Sequence, residues 1–394
     1  MRVSVRSLAS SAFFARLASI APLGAALALV ALGTALATRA EAADPRSSRF
    51  CSSCHSDIAK QWGASSMARS WTNPVFQSFL ADAKAALGPS IQANCISCHA
   101  PLASVTGDAN VDGDINQEGV TCNFCHNVTA VDASPKAASY TWDPSDPNKM
   151  QGPYNDSDAG NTHLSAFNPL FSQGEFCASC HWYGDDKGTL TFEGTHPSWK
   201  GSKAAAAGTQ CQDCHMPPGP GKVAITAKAS RDKMWAHHFL GAHTPGVLDS
   251  TATLAAAVEG GKLKLTVTNR RGGHSLPGGG ASMRAITLEV AYTNAAGAEL
   301  SRALVQTYDT EFADAKGKSP VPKWLAKSVA RSDEIPAESS KVEWAAIPAG
   351  AKSAEAILTY HFLLPAYRDA LVAKKVDLTG HDPVVMARAK VALP

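Results

Sequence analysis

Five times the chain sets two cysteines three positions apart and a histidine directly after the second. The triplets are Cys51, Cys54 and His55; Cys95, Cys98 and His99; Cys122, Cys125 and His126; Cys177, Cys180 and His181; and Cys211, Cys214 and His215. Thiols at that spacing can close two thioethers onto the vinyl groups along one edge of a porphyrin. The imidazole that follows then lies under the iron and supplies its proximal nitrogen. The five copies use all ten cysteines of the chain. Disulfides or zinc knuckles would leave unexplained a histidine after every second cysteine. The pattern therefore predicts five covalently bound c-type haems, with His55, His99, His126, His181 and His215 as proximal iron ligands.

A second axial ligand closes a haem for electron relay, whereas an open sixth position admits chemistry. Eight further histidines are available: His163, His196, His237, His238, His243, His274, His361 and His381. The elements that must position these groups are of two kinds. Up to about residue 247 the periodicity is weak, as expected where porphyrins form most of the core. Helices are expected over Ser56–Ser66, Pro74–Ala86 and Pro169–His181, and the repeated motifs should close or lie within short helical turns. The stretch Val131–Asn161, rich in Asp, Ser, Pro and Asn, reads as exposed loop, as does Pro217–Gly221.

From residue 248 no cysteine occurs and alternation takes over. Lys262–Thr268 puts Leu263, Leu265 and Val267 on one face, and Arg284–Tyr292 repeats the pattern. Thr293–Gly297 reads as a turn, Val342–Ile347 and Ala354–Leu363 as strands, and Tyr367–Lys375 as a terminal helix. The expected fold class is a mostly α and irregular multihaem domain, residues 43–247, followed by an all-β, sandwich-like domain of about seven strands, residues 248–394.

Several stretches between the motifs make the chain similar to a known family. Ile58 and Gln61-Trp62, then Ser65, Met67-Ala68 and Asn73-Pro74, follow the first motif. Ala100-Pro101-Leu102 follows the second, and Glu118-Gly119-Val120 precedes the third. His163-Leu164, Asn168-Pro169-Leu170 and Glu175-Phe176 precede the fourth. Trp199, Gly201-Ser202 and Met216-Pro217 surround the fifth. Together they resemble the multihaem cytochromes c related to the tetrahaem electron acceptor of hydroxylamine oxidoreductase. The resemblance implies haems stacked in contact, passing electrons, and it implies ligands. His163 stands where the family places a distal histidine ahead of the fourth motif. His237 matches a His-x-Phe-x-Gly pattern, with His243 close behind in the same histidine-rich linker. His274 lies in Gly273-His274-Ser275-Leu276-Pro277-Gly278, near a family phrase that has Thr where Gly278 stands. Met67 is a departure, because relatives carry a ligating histidine there. A thioether also binds haem iron and raises its potential, so Met67 is the fifth distal candidate. The bland alternative is a methionine packed on a porphyrin face. His196 is a weaker candidate, His238 a bystander, and His361 and His381 are expected to be structural or solvated.

The first 42 residues read as a targeting segment. A basic start (Arg2, Arg6, Arg16) precedes an apolar run from Leu17 to Ala37, with Ala40-Glu41-Ala42 at the cleavage position. The run is long enough that an uncleaved membrane anchor is the rival reading. Either way the bulk is expected in the periplasm or at the cell surface. The formal charge of +2 includes four Arg and one Glu in that segment, leaving the remainder at −1, which implies no nucleic-acid face. The function expected is electron transfer along the haems, with other cytochromes or a quinol-linked complex as redox partners. The alternatives are a multihaem enzyme with one open haem acting on a small nitrogen or sulfur compound, and a subunit of a self-assembling cytochrome filament. No motif has Lys in place of its histidine, which counts against the enzyme.

Overall fold

The computed structural model describes residues 47–394 apart from positions 144, 147 and 186, so the targeting segment lies outside the described residues. Among the described residues no helix is long and apolar enough to cross a membrane.

The helices are short, and four of them end on a motif histidine: Gln92–His99, Cys122–His126, Glu175–His181 and Cys211–His215. One helical turn puts residues i, i+3 and i+4 on a single face, so both sulfurs and the imidazole of each motif share a direction. Local chemistry starts these helices. Thr121 Oγ1 accepts from Phe124 N at 3.0 Å. Gln210 and Asp213 close a reciprocal capping box at the start of the last. The first motif differs. A helix over Ser48–Ser52 carries Cys51, a turn follows, and His55 stands at the start of the helix Ser56–Gly63.

The helix expected over Pro74–Ala86 is found at Pro74–Leu87. Asn73 Oδ1 caps it, accepting from Val75 N and Phe76 N, and Gly88 ends it at φ +89°. The helix expected over Ser56–Ser66 stops at Gly63. Arg69 caps its end by donating to Gly63 O and Ala64 O, and Ser65 Oγ turns back to Trp62 O. The segment Pro169–His181 is two pieces, a 3₁₀ turn Pro169–Ser172 and the helix Glu175–His181, with Gln173 extended between them. Gly174 then packs so closely on Trp199 that a Cβ there would lie 2.6 Å from the indole.

The stretch expected as loop is partly paired. Tyr140–Trp142 lies antiparallel to Val128–Val131, and Lys149–Gly152 runs parallel to Leu164–Phe167. Tyr140 holds this region in, meeting Phe124 edge-on at 4.9 Å and donating to Ser97 O at 3.1 Å. Pro218–Gly221 is likewise a strand, paired with Arg231–Trp235. These pairings are two strands wide and three to five residues long, too short for composition to reveal them.

Beyond residue 248 two antiparallel sheets share one core. The first orders Ser340–Ala346, Lys262–Asn269 and Ala252–Glu259. The second orders Glu299–Tyr308, Ala285–Thr293, Ser353–His361 and Val384–Ala392. The alternation of Lys262–Asn269 holds along its length, with Leu263, Leu265 and Val267 fully buried against Leu288, Val290 and Leu358. Gly260 and Gly261, both at positive φ, make the tight hairpin that precedes it. The helix Pro365–Ala373 packs Leu371 on Val75 of the helix Pro74–Leu87, tying the β region to the haem region.

One glycine carries a sharp expectation. Gly119 sits at φ +74°, and a Cβ there would lie 2.5 Å from Met67 O and 2.7 Å from Ser70 Oγ. Gly119→Ala should cost roughly 2–4 kcal/mol, combining a strained backbone with displacement of the Met67 turn. Chemical unfolding of the holoprotein measures this, and a cost under about 0.5 kcal/mol would show that the turn yields freely.

Candidate haem sites

All fifteen side chains of the five motifs line one connected cavity of about 2790 Å³. That is several times the roughly 300–1,000 Å³ of a pocket for one ligand. None of the ten cysteines is in a disulfide, and among the described residues no three His, Cys, Asp or Glu gather as a metal cluster. The sulfurs instead stand in pairs along a common cavity.

Four of the five proximal imidazoles are oriented for metal binding by a backbone carbonyl. His55 Nδ1 donates to Val223 O at 2.5 Å, His99 Nδ1 to Ser70 O at 3.0 Å and His126 Nδ1 to Gln151 O at 2.6 Å. His215 Nδ1 donates to Leu240 O. A carbonyl only accepts, so the proton sits on Nδ1 and Nε2 is left with a free lone pair. Burial also favours the neutral form of three of the five rings. It pulls the pKa values of His99 and His181 down to about 4, and that of His126 down as well.

The distal candidates show the same device. His163 Nδ1 donates to Leu164 O (3.0 Å), His237 to Trp235 O (3.1 Å), His274 to Ser275 O (2.8 Å) and His243 to Gly380 O (3.0 Å). Burial lowers His237 and His243 to about 4 and also lowers His274. Three of the four face a motif histidine. The ring centres of His55 and His163 are 6.2 Å apart, those of His126 and His237 are 6.3 Å apart, and those of His215 and His274 are 6.4 Å apart. Two iron–nitrogen bonds of about 2 Å, plus about 1 Å from each nitrogen to its ring centre, require about 6 Å. The spacing and the donor set thus fit a porphyrin iron between each pair, although the described structure carries no ligand.

His274 owes its place to the β region. Its loop is pinned by paired backbone hydrogen bonds between Leu276 and Ile335, by Asn269 Nδ2 donating to His274 O, and by Ser275 N donating to Ser198 Oγ. Gly278 has φ +68°, and a Cβ there would sit 2.9 Å from the His274 ring. A side chain at that position would therefore crowd the His274 ring, which glycine avoids.

Met67 lines the cavity, and its carbonyl accepts from Val120 N at 3.0 Å. His243 lines it too, stacked at 4.2 Å on Phe362. Neither forms a ring pair with a motif imidazole of the kind the other three make. His381, expected to be structural or solvated, also lines the cavity and meets His243 edge-on at 5.1 Å. His196 is buried at 4% exposure between Trp182 and Trp199, with neither ring nitrogen hydrogen-bonded. His361 is engaged with Thr287 Oγ1 at 2.9 Å, and His238 is exposed.

The sulfurs also order the sites. Cys51 lies against Cys122, Cys98 against Cys180, and Cys177 against Cys211, while Cys125 is close to both Cys177 and Cys180. The first motif therefore neighbours the third, and the third neighbours the fourth. The second and fifth both adjoin the fourth.

Five attachment motifs converging on one cavity define a multihaem c-type cytochrome. Residues 50–127 match the family described as cytochrome c554 and c-prime, and residues 162–266 match the NapC/NirT cytochrome c family, N-terminal region. In fold the chain is similar to a penta-haem cytochrome c552 from Thermochromatium tepidum. The TM-score is 0.69 at 19% identity, covering 89% of this chain and 100% of that one. None of the curated proteins compared with it matches. The motifs, the family match and this likeness together support five covalently bound c-type haems.

Proposed function

We propose that this cytochrome transfers electrons along its haems outside the cytoplasm. The reading rests above all on the three imidazole pairs at 6.2–6.4 Å, since two axial histidines close an iron to substrate. His163, His237 and His274 are then the distal ligands of the irons on His55, His126 and His215. The neighbouring sulfurs supply a continuous route from the first motif through the third to the fourth, with branches to the second and fifth. Donors and acceptors are other cytochromes or a quinol-linked complex, in keeping with the match to the NapC/NirT cytochrome c family. Residues 1–42 act as the export signal, and residues 248–394 form a sandwich-like domain that contributes His274. Electron paramagnetic resonance of the oxidised holoprotein tests the reading. Low-spin haems throughout are expected, and a high-spin haem that binds cyanide or nitrite would favour the enzyme instead.

The irons on His99 and His181 are left without a facing imidazole, and Met67 and His243 are the distal candidates still unpaired, both lining the cavity. Arg284 lies close to both His181 and His243. If sulfur binds, the oxidised protein shows a long-wavelength thioether–iron charge-transfer band that disappears in Met67→Ala. If imidazole binds, no band is present and His243→Ala turns one haem high-spin.

A further inference from the structure

Two separate stretches of chain flank the imidazole pair of His55 and His163. On the proximal side, the hairpin of Pro218–Gly221 and Arg231–Trp235 carries a loop, residues 222–230. Val223 O in that loop accepts from His55 Nδ1, and Ile225 N donates to Cys54 O at 2.8 Å. On the distal side, residues 153–163 join the parallel strands Lys149–Gly152 and Leu164–Phe167 and end on His163. His163 Nδ1 donates to the carbonyl of its own neighbour, Leu164, which orients the ring without anchoring it to the proximal side.

The two stretches are clasped to each other. Arg231 stands at the base of the proximal loop, opposite Gly221 in the hairpin. Its Nη1 donates to Asp156 Oδ2 at 3.1 Å and its Nη2 to Asp156 Oδ1 at 2.7 Å. The same guanidinium lies 4.1 Å over the centre of the Tyr154 ring, and Tyr154 Oη donates to Lys233 O at 3.2 Å. Asp156 and Tyr154 both belong to the distal stretch. A fork seated on a carboxylate and stacked on an aromatic face is fully engaged, which commits Arg231 to this contact. The Arg231 side chain is 25% exposed and that of Asp156 66%, so salt reaches the pair. An exposed ion pair ordinarily contributes little to stability. This one spans the two sides of an iron site whose imidazole centres must stay near 6.2 Å apart.

We propose that the clasp of Arg231, Asp156 and Tyr154 keeps the haem of the first motif closed, and that its release opens the sixth position of that iron to a small neutral ligand such as carbon monoxide. Arg231 is a positioning residue that acts through His163, and this rests on the reading of His163 as the distal ligand. On release the bond between iron and His163 Nε2 breaks and the nitrogen keeps its electron pair. The incoming ligand donates a pair of its own, and the oxidation state of the iron does not change.

The test mixes the fully reduced holoprotein with carbon monoxide and follows binding by stopped flow. At saturating ligand the observed rate is the rate at which the distal imidazole leaves. His163→Ala identifies the phase, since it should leave one haem open and fast. In Arg231→Gln and Asp156→Asn that phase should run about three- to ten-fold faster than in the wild type, with the other phases unchanged. The swapped double variant, Arg231→Asp with Asp156→Arg, should return it to within roughly two-fold of the wild type. Raising salt from roughly 0.01 M to 0.5 M should speed the wild type and leave Arg231→Gln unaffected. Haem content measured in parallel confirms that each variant is loaded. An unchanged phase in both single variants overturns the clasp and leaves the ligand assignment standing. Equal acceleration of every phase also overturns it, because the substitutions then loosen the whole protein. If His163→Ala opens no haem, the ligand assignment falls and the clasp with it.

Discussion

Replacing Cys177 and Cys180 together with alanine should divide the haem array and slow end-to-end electron equilibration by orders of magnitude. The fourth motif is the junction of the set. Cys180 lies against Cys98 of the second motif, Cys177 against Cys211 of the fifth, and Cys125 of the third is close to both. Without its two thioethers the central haem has only its axial ligands to hold it, and it should be lost from most of the protein. Haem-to-protein ratio should fall by one part in five. Electrons delivered at the haem of the first motif should then no longer reach that of the fifth on the wild-type timescale. The single variant Cys177→Ala is the control. It keeps one thioether through Cys180, retains the haem and should retain transfer, which separates loss of the relay from general misfolding. Unchanged equilibration in the double variant would show that the second, third and fifth sites communicate without the fourth.

The cofactor was legible in the sequence because covalent attachment fixes residue types at fixed spacing. The distal ligands were legible only in part. His163, His237 and His274 fall opposite motif histidines, but nothing local in the sequence says which iron each one faces. Those pairs join residues 108, 111 and 59 positions apart, a separation that only the folded chain can close. The strands of the β region were visible where alternation was clean, as in Lys262–Asn269. Ala252–Glu259 and Val384–Ala392 were not singled out, because alanine occupies many of their positions and blurs the contrast between faces. The helix Ser56–Gly63 ran short for a reason composition does not carry, the Arg69 guanidinium folding back on its last carbonyls.

The second large effect is expected at Leu358. It is fully buried in the middle of the four-stranded sheet, opposite Leu288, and faces Leu263 and Leu265 across the core. Leu358→Ala removes that contact and leaves a cavity, at a cost of about 2–5 kcal/mol. The consequence should not stay in the sheet. Leu276 belongs to the same core and, with Ile335, anchors the loop that presents His274. As the sheets loosen on heating, one haem should lose its distal imidazole and turn high-spin in step with the loss of strand signal by circular dichroism. The haems on His55 and His126 draw their distal imidazoles from His163 and His237, outside the β region, and should remain low-spin to higher temperature. That ordering follows only if residues 248–394 unfold as a unit of their own. If every haem changes spin in one transition with the sheets, the contact of Leu371 with Val75 welds the two regions into a single cooperative body, and the division near residue 248 is one of composition alone.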